Sequence, residues 1–284
     1  MARGERLWTG RREFVIGLPM RSGPHASEFT LEFCPAMDEE MQGKTAIVTG
    51  AARRIGAAIA RRLHASGANV LLHYRGAESE AAGLEAELNA ARPKSASKIK
   101  ADLLAPVAPR MLIRAALERF ERLDLLVNNA STFYPTAVGA IEAGHWEELM
   151  GSNLRAPLFL SQEAAPHLSK NGGAIVNVAD IHAERPLKGY LVYSVAKAGL
   201  VALTRSLALE LAPEVRVNGV APGAIAWPED GQFEPPERER IVATTPLARL
   251  GSPDEIARAV HFLATAPFVT GQILAVDGGR SLYL

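Results

Sequence analysis

One cysteine, Cys34, is all the thiol chemistry in this 284-residue chain. An intramolecular disulfide is excluded, and a core of this size folds without one. Net charge is lacking too: 31 Lys and Arg balance 31 Asp and Glu, so no global field favours nucleic acid or an anionic membrane surface. No Cys/His cluster occurs. His145 and His182 have no neighbours at metal-ligand spacing, so no metal is expected. Long apolar runs are missing as well; the best candidate, around Leu200 and Leu203, is interrupted by charges within a few residues, and no bilayer span is expected. The first residues hold no continuous apolar stretch ending in a small-residue cleavage site, so no secretory signal is read. A cytoplasmic location is the expectation. Residues 1–41 show no hydrophobic period and mix Arg3, Arg6, Arg11, Arg12 and Arg21 with Glu5 and Glu13. Transit peptides avoid acids. This stretch is expected to be a disordered extension, with Met37 and Met41 as alternative starts.

What is present is a regular alternation. Short apolar runs at 45–49, 69–74, 98–101, 123–127, 174–178, 215–220 and 273–276 have strand length and near-continuous apolar character. Such runs suit strands covered on both faces. Between them, 55–66, 77–91, 108–121, 146–168, 190–211 and 254–264 carry helical spacing. Alternating strands and helices imply βαβ units and a parallel sheet. The expected fold is α/β: one Rossmann-type, doubly wound domain over residues 42–284, mostly or wholly parallel, with about seven strands flanked by helices. The stretch 226–239 contains Pro228, Pro235 and Pro236 and is expected to be irregular; a loop of that length inside a domain is usually functional.

The first strand runs into Gly50, Ala51, Ala52, Arg53, Arg54, Ile55 and Gly56 before the first helix. Small residues let the backbone approach a pyrophosphate, and the helix N-terminus offers it free N–H groups. An NAD site places an acid near the end of the second strand to hold the ribose hydroxyls. Here that strand ends in His73, Tyr74 and Arg75. No acid is there, and Arg75, helped by Arg53, suits a 2′-phosphate, which points to NADPH. Asp102, followed by Leu103, closes the third strand, where it either meets the adenine or caps the next helix.

Tyr193 and Lys197 are four residues apart, so on a helix they share a face. A tyrosine titrates near pH 10, and a neighbouring ammonium is expected to lower that value. Together with Gly50 and Gly56, with Asn128, Asn129 and Ala130, with Asn153, and with Pro222 and Gly223, this pair resembles the short-chain dehydrogenase/reductase family from Lys44 to the C-terminus. Two departures are similar to the pteridine reductases of that family: Arg54 stands where most members have glycine, and Asp180 where most have serine. Ser131, Phe133 and the 73–75 triplet fit the same subfamily. The resemblance implies NADPH held by residues 50, 53–56, 73–75, 102–103 and 129–131, by Tyr193 and Lys197, and by Pro222, Gly223, Ala224 and Ile225. It implies catalysis by Asp180, Tyr193, Lys197 and Asn153. It implies a pterin held by Arg54, Ser131, Phe133, Asp180 and Tyr193, with Phe133 stacking on the ring. Trp227 either walls that pocket or lies on the surface.

Asp180 has a chemical rationale. Carbonyl reduction builds an alkoxide that a serine hydroxyl stabilises, whereas reducing a pterin C=N bond requires a proton on nitrogen, which a carboxyl can supply or relay. Burial would hold that carboxyl protonated and Lys197 would ionise it; the sequence leaves the balance open. Two other functions fit parts of the pattern: an NADPH-dependent carbonyl reductase acting on a ketoacyl, sugar or steroid substrate, and a non-catalytic dinucleotide sensor. By analogy with the family, a homotetramer paired through 146–168 and 190–211 is expected, with the C-terminal residues 281–284 reaching a neighbouring subunit.

Overall fold

Seven strands line up in the order β3-β2-β1-β4-β5-β6-β7, every neighbouring pair parallel. This is a computed structural model, and it describes residues 40–227 and 233–283. The N-terminal extension up to residue 39, with Cys34, and also Pro228 and Leu284 lie outside the described residues. The strands are β1 (Thr45–Val48), β2 (Asn69–Tyr74), β3 (Ala96–Lys100), β4 (Leu125–Asn128), β5 (Ala174–Val178), β6 (Arg216–Pro222) and β7 (Ile273–Val276). The helices are α1 (Arg54–Ala65), α2 (Glu78–Ala91), α3 (Ala108–Phe120), α4 (Ala143–Met150), α5 (Ala156–Ser169), α6 (Leu191–Glu210), α7 (Pro235–Ala243) and α8 (Pro253–Thr265).

Side chains alternate across a strand, and the core divides accordingly. Ala46, Val48, Val70, Leu72, Leu125 and Val127 face a layer formed by α1, α2 and α8. Ile47, Leu71, Leu126 and Ile175 face α3, α5 and the end of α6. Met41 is 2% exposed and belongs to the first layer, so the core already includes the residue before the expected boundary. Strand order reverses between β1 and β4, and ligands of open α/β sheets sit at that reversal, outside the carboxyl ends of the strands.

Three expectations need revision. β3 begins at Ala96 rather than at residue 98. The helix expected over 146–168 is α4 and α5 joined by a π-helical turn, Gly151–Arg155. Its cause is Asn153, whose Nδ2 donates to the Leu149 carbonyl (3.0 Å), the acceptor an α-helix would give to Asn153 N–H; side chains inserted into the ladder shift it in this way. The irregular stretch expected over 226–239 contains α7, because Pro235 and Pro236 fall at the helix start, where proline's fixed φ and missing N–H cost nothing. Helix α6 has the length and mean hydropathy (1.3) of a membrane span, with half of that window buried in the protein. Val192, Ala196, Leu200, Val201 and Ala208 are buried beside Tyr193 and Lys197, the arrangement of a core helix with one face outward.

Candidate active site

The carboxyl ends of β1, β2, β4, β5 and β6, the turn after β3 and the start of α6 enclose a cavity of about 720 Å³. Every residue expected to touch cofactor or substrate lines it except Asn153. Asn153 is 1% exposed and stands behind the lining, where its Oδ1 accepts from Ser131 Oγ (2.6 Å) and its Nδ2 donates to the Thr132 carbonyl (2.9 Å). The structure thus places Asn153 one layer behind the cavity, hydrogen-bonded to Ser131.

The glycine turn is built for close approach. Gly50 has φ +62, and a Cβ on Gly56 would lie 2.1 Å from the Gly50 carbonyl oxygen. Asn129 Nδ2 donates to the carbonyls of Thr49 (2.8 Å) and Gly50 (3.1 Å). Thr49 Oγ1 accepts from the N–H groups of Asn129 and Ala130. His73 bridges the turn to β3: its Nδ1 accepts from Gly50 N–H (3.1 Å) and its Nε2 lies 3.2 Å from the Ala101 carbonyl. Burial outweighs the attraction of Ala101 and Asp102 and brings its pKa down to about 4, so the ring is neutral, with the proton on Nε2. Both ring nitrogens are thereby committed to backbone, and His73 shapes the turn. Asp102 accepts from Leu104 N–H (3.0 Å) and so closes the turn after β3 rather than capping α3.

This cradle fits a dinucleotide. Among the described residues no side chain caps the start of α1 and no acid lies in its first turn, so its N–H groups and positive end suit a pyrophosphate. Arg53 and Arg75 line the same end of the cavity. Each has a carboxylate at long range, Glu80 at 3.7 Å and Glu148 at 3.8 Å. Exposed pairs of this kind are weak.

At the other end, Tyr193 OH donates to Asp180 Oδ2 (2.6 Å), and Asp180 Oδ1 accepts from His182 N–H (2.8 Å). Lys197 Nζ donates to the Val178 carbonyl (2.9 Å) and lies 5.7 Å from the Tyr193 ring centroid. The expectation that Lys197 lowers the tyrosine pKa does not hold. Burial, followed by the charge and hydrogen bond of Asp180, raises it well above 10, against a smaller opposing effect of Ser131. The reason is distance: the carboxylate touches the phenol and the ammonium does not. Tyr193 is therefore a neutral phenol poised to donate.

Phe133 lies within a cluster of protein rings. Its ring stacks on Tyr190 (4.6 Å, 12°), meets Tyr193 edge-on (4.7 Å) and lies near-parallel to Phe233 at 6.5 Å. One face is thus covered by a protein ring. Trp227 lies against Phe233 (5.9 Å) and lines the cavity. Sequence reasoning missed Tyr190 and Phe233; neither stands in a motif, and Phe233 sits in the proline-rich stretch without periodicity.

A glycine turn at a helix start, a phenol–lysine pair and a cavity at the sheet reversal define a dinucleotide-dependent oxidoreductase. The family model described as enoyl-(acyl carrier protein) reductase matches residues 50–281. Pteridine reductase 1 of Leishmania tarentolae is 39% identical over 279 residues, covering 84% of this chain and 96% of that protein. A Streptomyces violaceoruber protein assigned as ketoacyl reductase 2 of the granaticin polyketide synthase is 38% identical, covering 85% and 97%. The crystal structure of a short-chain dehydrogenase/reductase, a glucose/ribitol dehydrogenase from Brucella melitensis, superposes with a TM-score of 0.81 at 34% identity, covering 86% and 99%. The chain belongs to the short-chain dehydrogenase/reductase family and is an oxidoreductase of that type.

Lys197 gives a pH signature in the free protein. Burial outweighs the attraction of Asp180 and brings its pKa from 10.5 to about 8. Between these values the unfolded chain binds a proton that the folded chain has released, so stability rises with pH across that window. The gain is on the order of 3 kcal/mol. Urea denaturation at pH 7.5, 9 and 10 should show this rise in the wild type and a flatter response in Lys197→Met; parallel curves would mean that the ammonium is solvated.

Proposed function

We propose that this chain is an NADPH-dependent pteridine reductase, converting a dihydropterin such as dihydrobiopterin, dihydromonapterin or dihydrofolate to its tetrahydro form. The reading rests on the 2.6 Å bond from Tyr193 to the Asp180 carboxylate. A carbonyl oxygen becoming an alkoxide needs hydrogen-bond donors and dipoles around it, and a carboxylate works against that. A ring nitrogen becoming an amine needs a proton, which a phenol–carboxyl pair delivers.

Bound NADPH supplies the hydride. Tyr193 gives its proton to the ring nitrogen. A phenolate left beside a carboxylate would put two anions in contact, which is disfavoured, so a proton from the cavity solvent is relayed through Asp180 to the phenol oxygen as Tyr193 gives up its own. Ser131, held by Asn153, lines the slot beside Phe133. Arg75 favours NADPH over NADH, because a doubly charged phosphate outcompetes its loose pairing with Glu148, and Arg53 adds positive charge at the same end of the cavity. The active form is a cytoplasmic homotetramer. Trp146, Leu158, Phe159, Leu191 and Val195 on α4, α5 and α6 are each more than a third exposed in the single chain, and pairing these helices covers them.

NADPH oxidation is the test, measured with dihydropterins, oxidised pterins, a ketoacyl thioester, a ketosteroid and a ketose. Turnover of a dihydropterin at least tenfold above every carbonyl substrate is expected, with NADPH preferred over NADH and a four-chain mass in light scattering. Preference for the ketoacyl compound would favour the alternative suggested by the Streptomyces relative. NADPH binding without turnover of any of them would leave a sensor.

A further inference from the structure

Arg54 joins the two ends of the cavity. It is the first residue of α1, and its φ is +52, a left-handed conformation uncommon for a residue with a side chain. Its Nη2 donates to the Ala226 carbonyl (3.0 Å) and reaches the Ile225 carbonyl (3.5 Å). Ala226 is itself left-handed, with φ +48. Two non-glycine residues therefore hold a strained backbone at the two ends of one hydrogen bond, and strain of this kind persists where the surroundings enforce it. Ile225 is anchored behind: it is 7% exposed and bridges to Gly251. Ahead of it, Trp227 packs on Phe233, which lies near-parallel to Phe133. A contiguous path runs from the cofactor turn through Arg54 to the aromatic wall of the substrate end.

We propose that Arg54 is a positioning residue that couples dinucleotide binding to the order of residues 224–227. Nη2 carries both bonds to the loop carbonyls, and a guanidinium has five donors in a fixed fork. Its Nε and Nη1 donors can hold a phosphate while Nη2 keeps Ala226 in place. A phosphate on that edge fixes the guanidinium plane, and the plane fixes the carbonyls. The order of 224–227 then rises with dinucleotide occupancy, before any substrate arrives. This rests on the dinucleotide site of the proposed function and not on the pterin: no substrate enters the experiment, so an error in substrate class leaves its result intact.

Hydrogen–deuterium exchange of a peptide covering 223–227, with and without saturating NADPH, is the test. In the wild type, NADPH should slow exchange there at least about fivefold. Arg54→Gly removes the guanidinium while glycine adopts φ +52 without strain. This variant should still bind NADPH, read by nicotinamide fluorescence, with affinity reduced about tenfold or less; at saturation it should gain less than half of the wild-type protection at 223–227, the part that direct contact of Gly223 to Ile225 with the dinucleotide gives. Equal protection in the variant, or none in the wild type, overturns the proposal. Arg54→Lys, which keeps the charge on a single point, covers failure of the glycine variant to fold. It should lose at least half of the protection, and keeping all of it overturns the proposal. If NADPH does not bind, the cofactor assignment has failed separately, and NADH takes its place with the same outcomes.

Discussion

Asp180→Ser should cut kcat for dihydropterin reduction by about 10²–10³-fold, the worth of a positioned proton donor, while moving the NADPH Kd less than about threefold. The split follows from geometry. Asp180 Oδ2 accepts the Tyr193 proton at 2.6 Å, whereas the glycine turn, His73 and the start of α1 form the far end of the cavity. The fold should tolerate the change, because Asp180 caps the short turn Ile181–Ala183 by accepting from His182 N–H, and serine caps such turns nearly as well as aspartate. Serine adds a donor suited to an oxyanion, so reduction of an activated ketone should hold steady or rise in the same variant. Steady-state rates on both substrates, with NADPH affinity by fluorescence titration, decide it. Undiminished pterin turnover in Asp180→Ser would remove the carboxyl from the chemistry.

Much of this site could be read before any coordinates. A spacing of four between Tyr193 and Lys197 places both on one helical face, and α6 puts them there, buried at 4% and 2% exposure. Gly50 and Gly56 could be assigned to a tight turn, and the steric closeness of Gly56 to the Gly50 carbonyl gives the reason. Patterning located all seven strands because each is an apolar run covered on both faces. What stayed hidden depends on depth and on partners far apart in sequence. Tyr193 looked like a phenol acidified by its lysine; burial, and then the Asp180 carboxylate just beyond β5, reverse the shift. Asn153 had a motif position but no visible reason to break a helix, because its burial and its bond to the Thr132 carbonyl are fixed only by the fold. Pro235 and Pro236 read as breakers, since sequence alone does not tell a helix start from a loop. Arg54 carried an expected ligand role, yet its partners lie 171 and 172 residues away.

Tyr193→Phe should be the more damaging change, lowering kcat by about 10³-fold or more, near the upper end for loss of a general acid. In the proposed mechanism the phenol delivers the proton to the substrate and Asp180 acts through it. Because burial and Asp180 hold the Tyr193 pKa well above 10, the free enzyme should contain no Tyr193 phenolate at neutral or mildly alkaline pH. Ultraviolet difference spectra of wild type and Tyr193→Phe should therefore coincide up to about pH 10 in the phenolate band. Phenylalanine keeps the ring that meets Phe133 edge-on at 4.7 Å, so the aromatic wall survives and NADPH affinity should stay within about threefold. Asp180 then loses its donor but keeps His182 N–H, and it borders an open cavity where water can replace the phenol. Adding Asp180→Ser to Tyr193→Phe should cost little more than Tyr193→Phe alone, because residues acting as one unit are not additive. Losses that multiplied in the double variant would instead mean that the phenol and the carboxyl act on different atoms of the substrate, and the shared proton path between them would have to be given up.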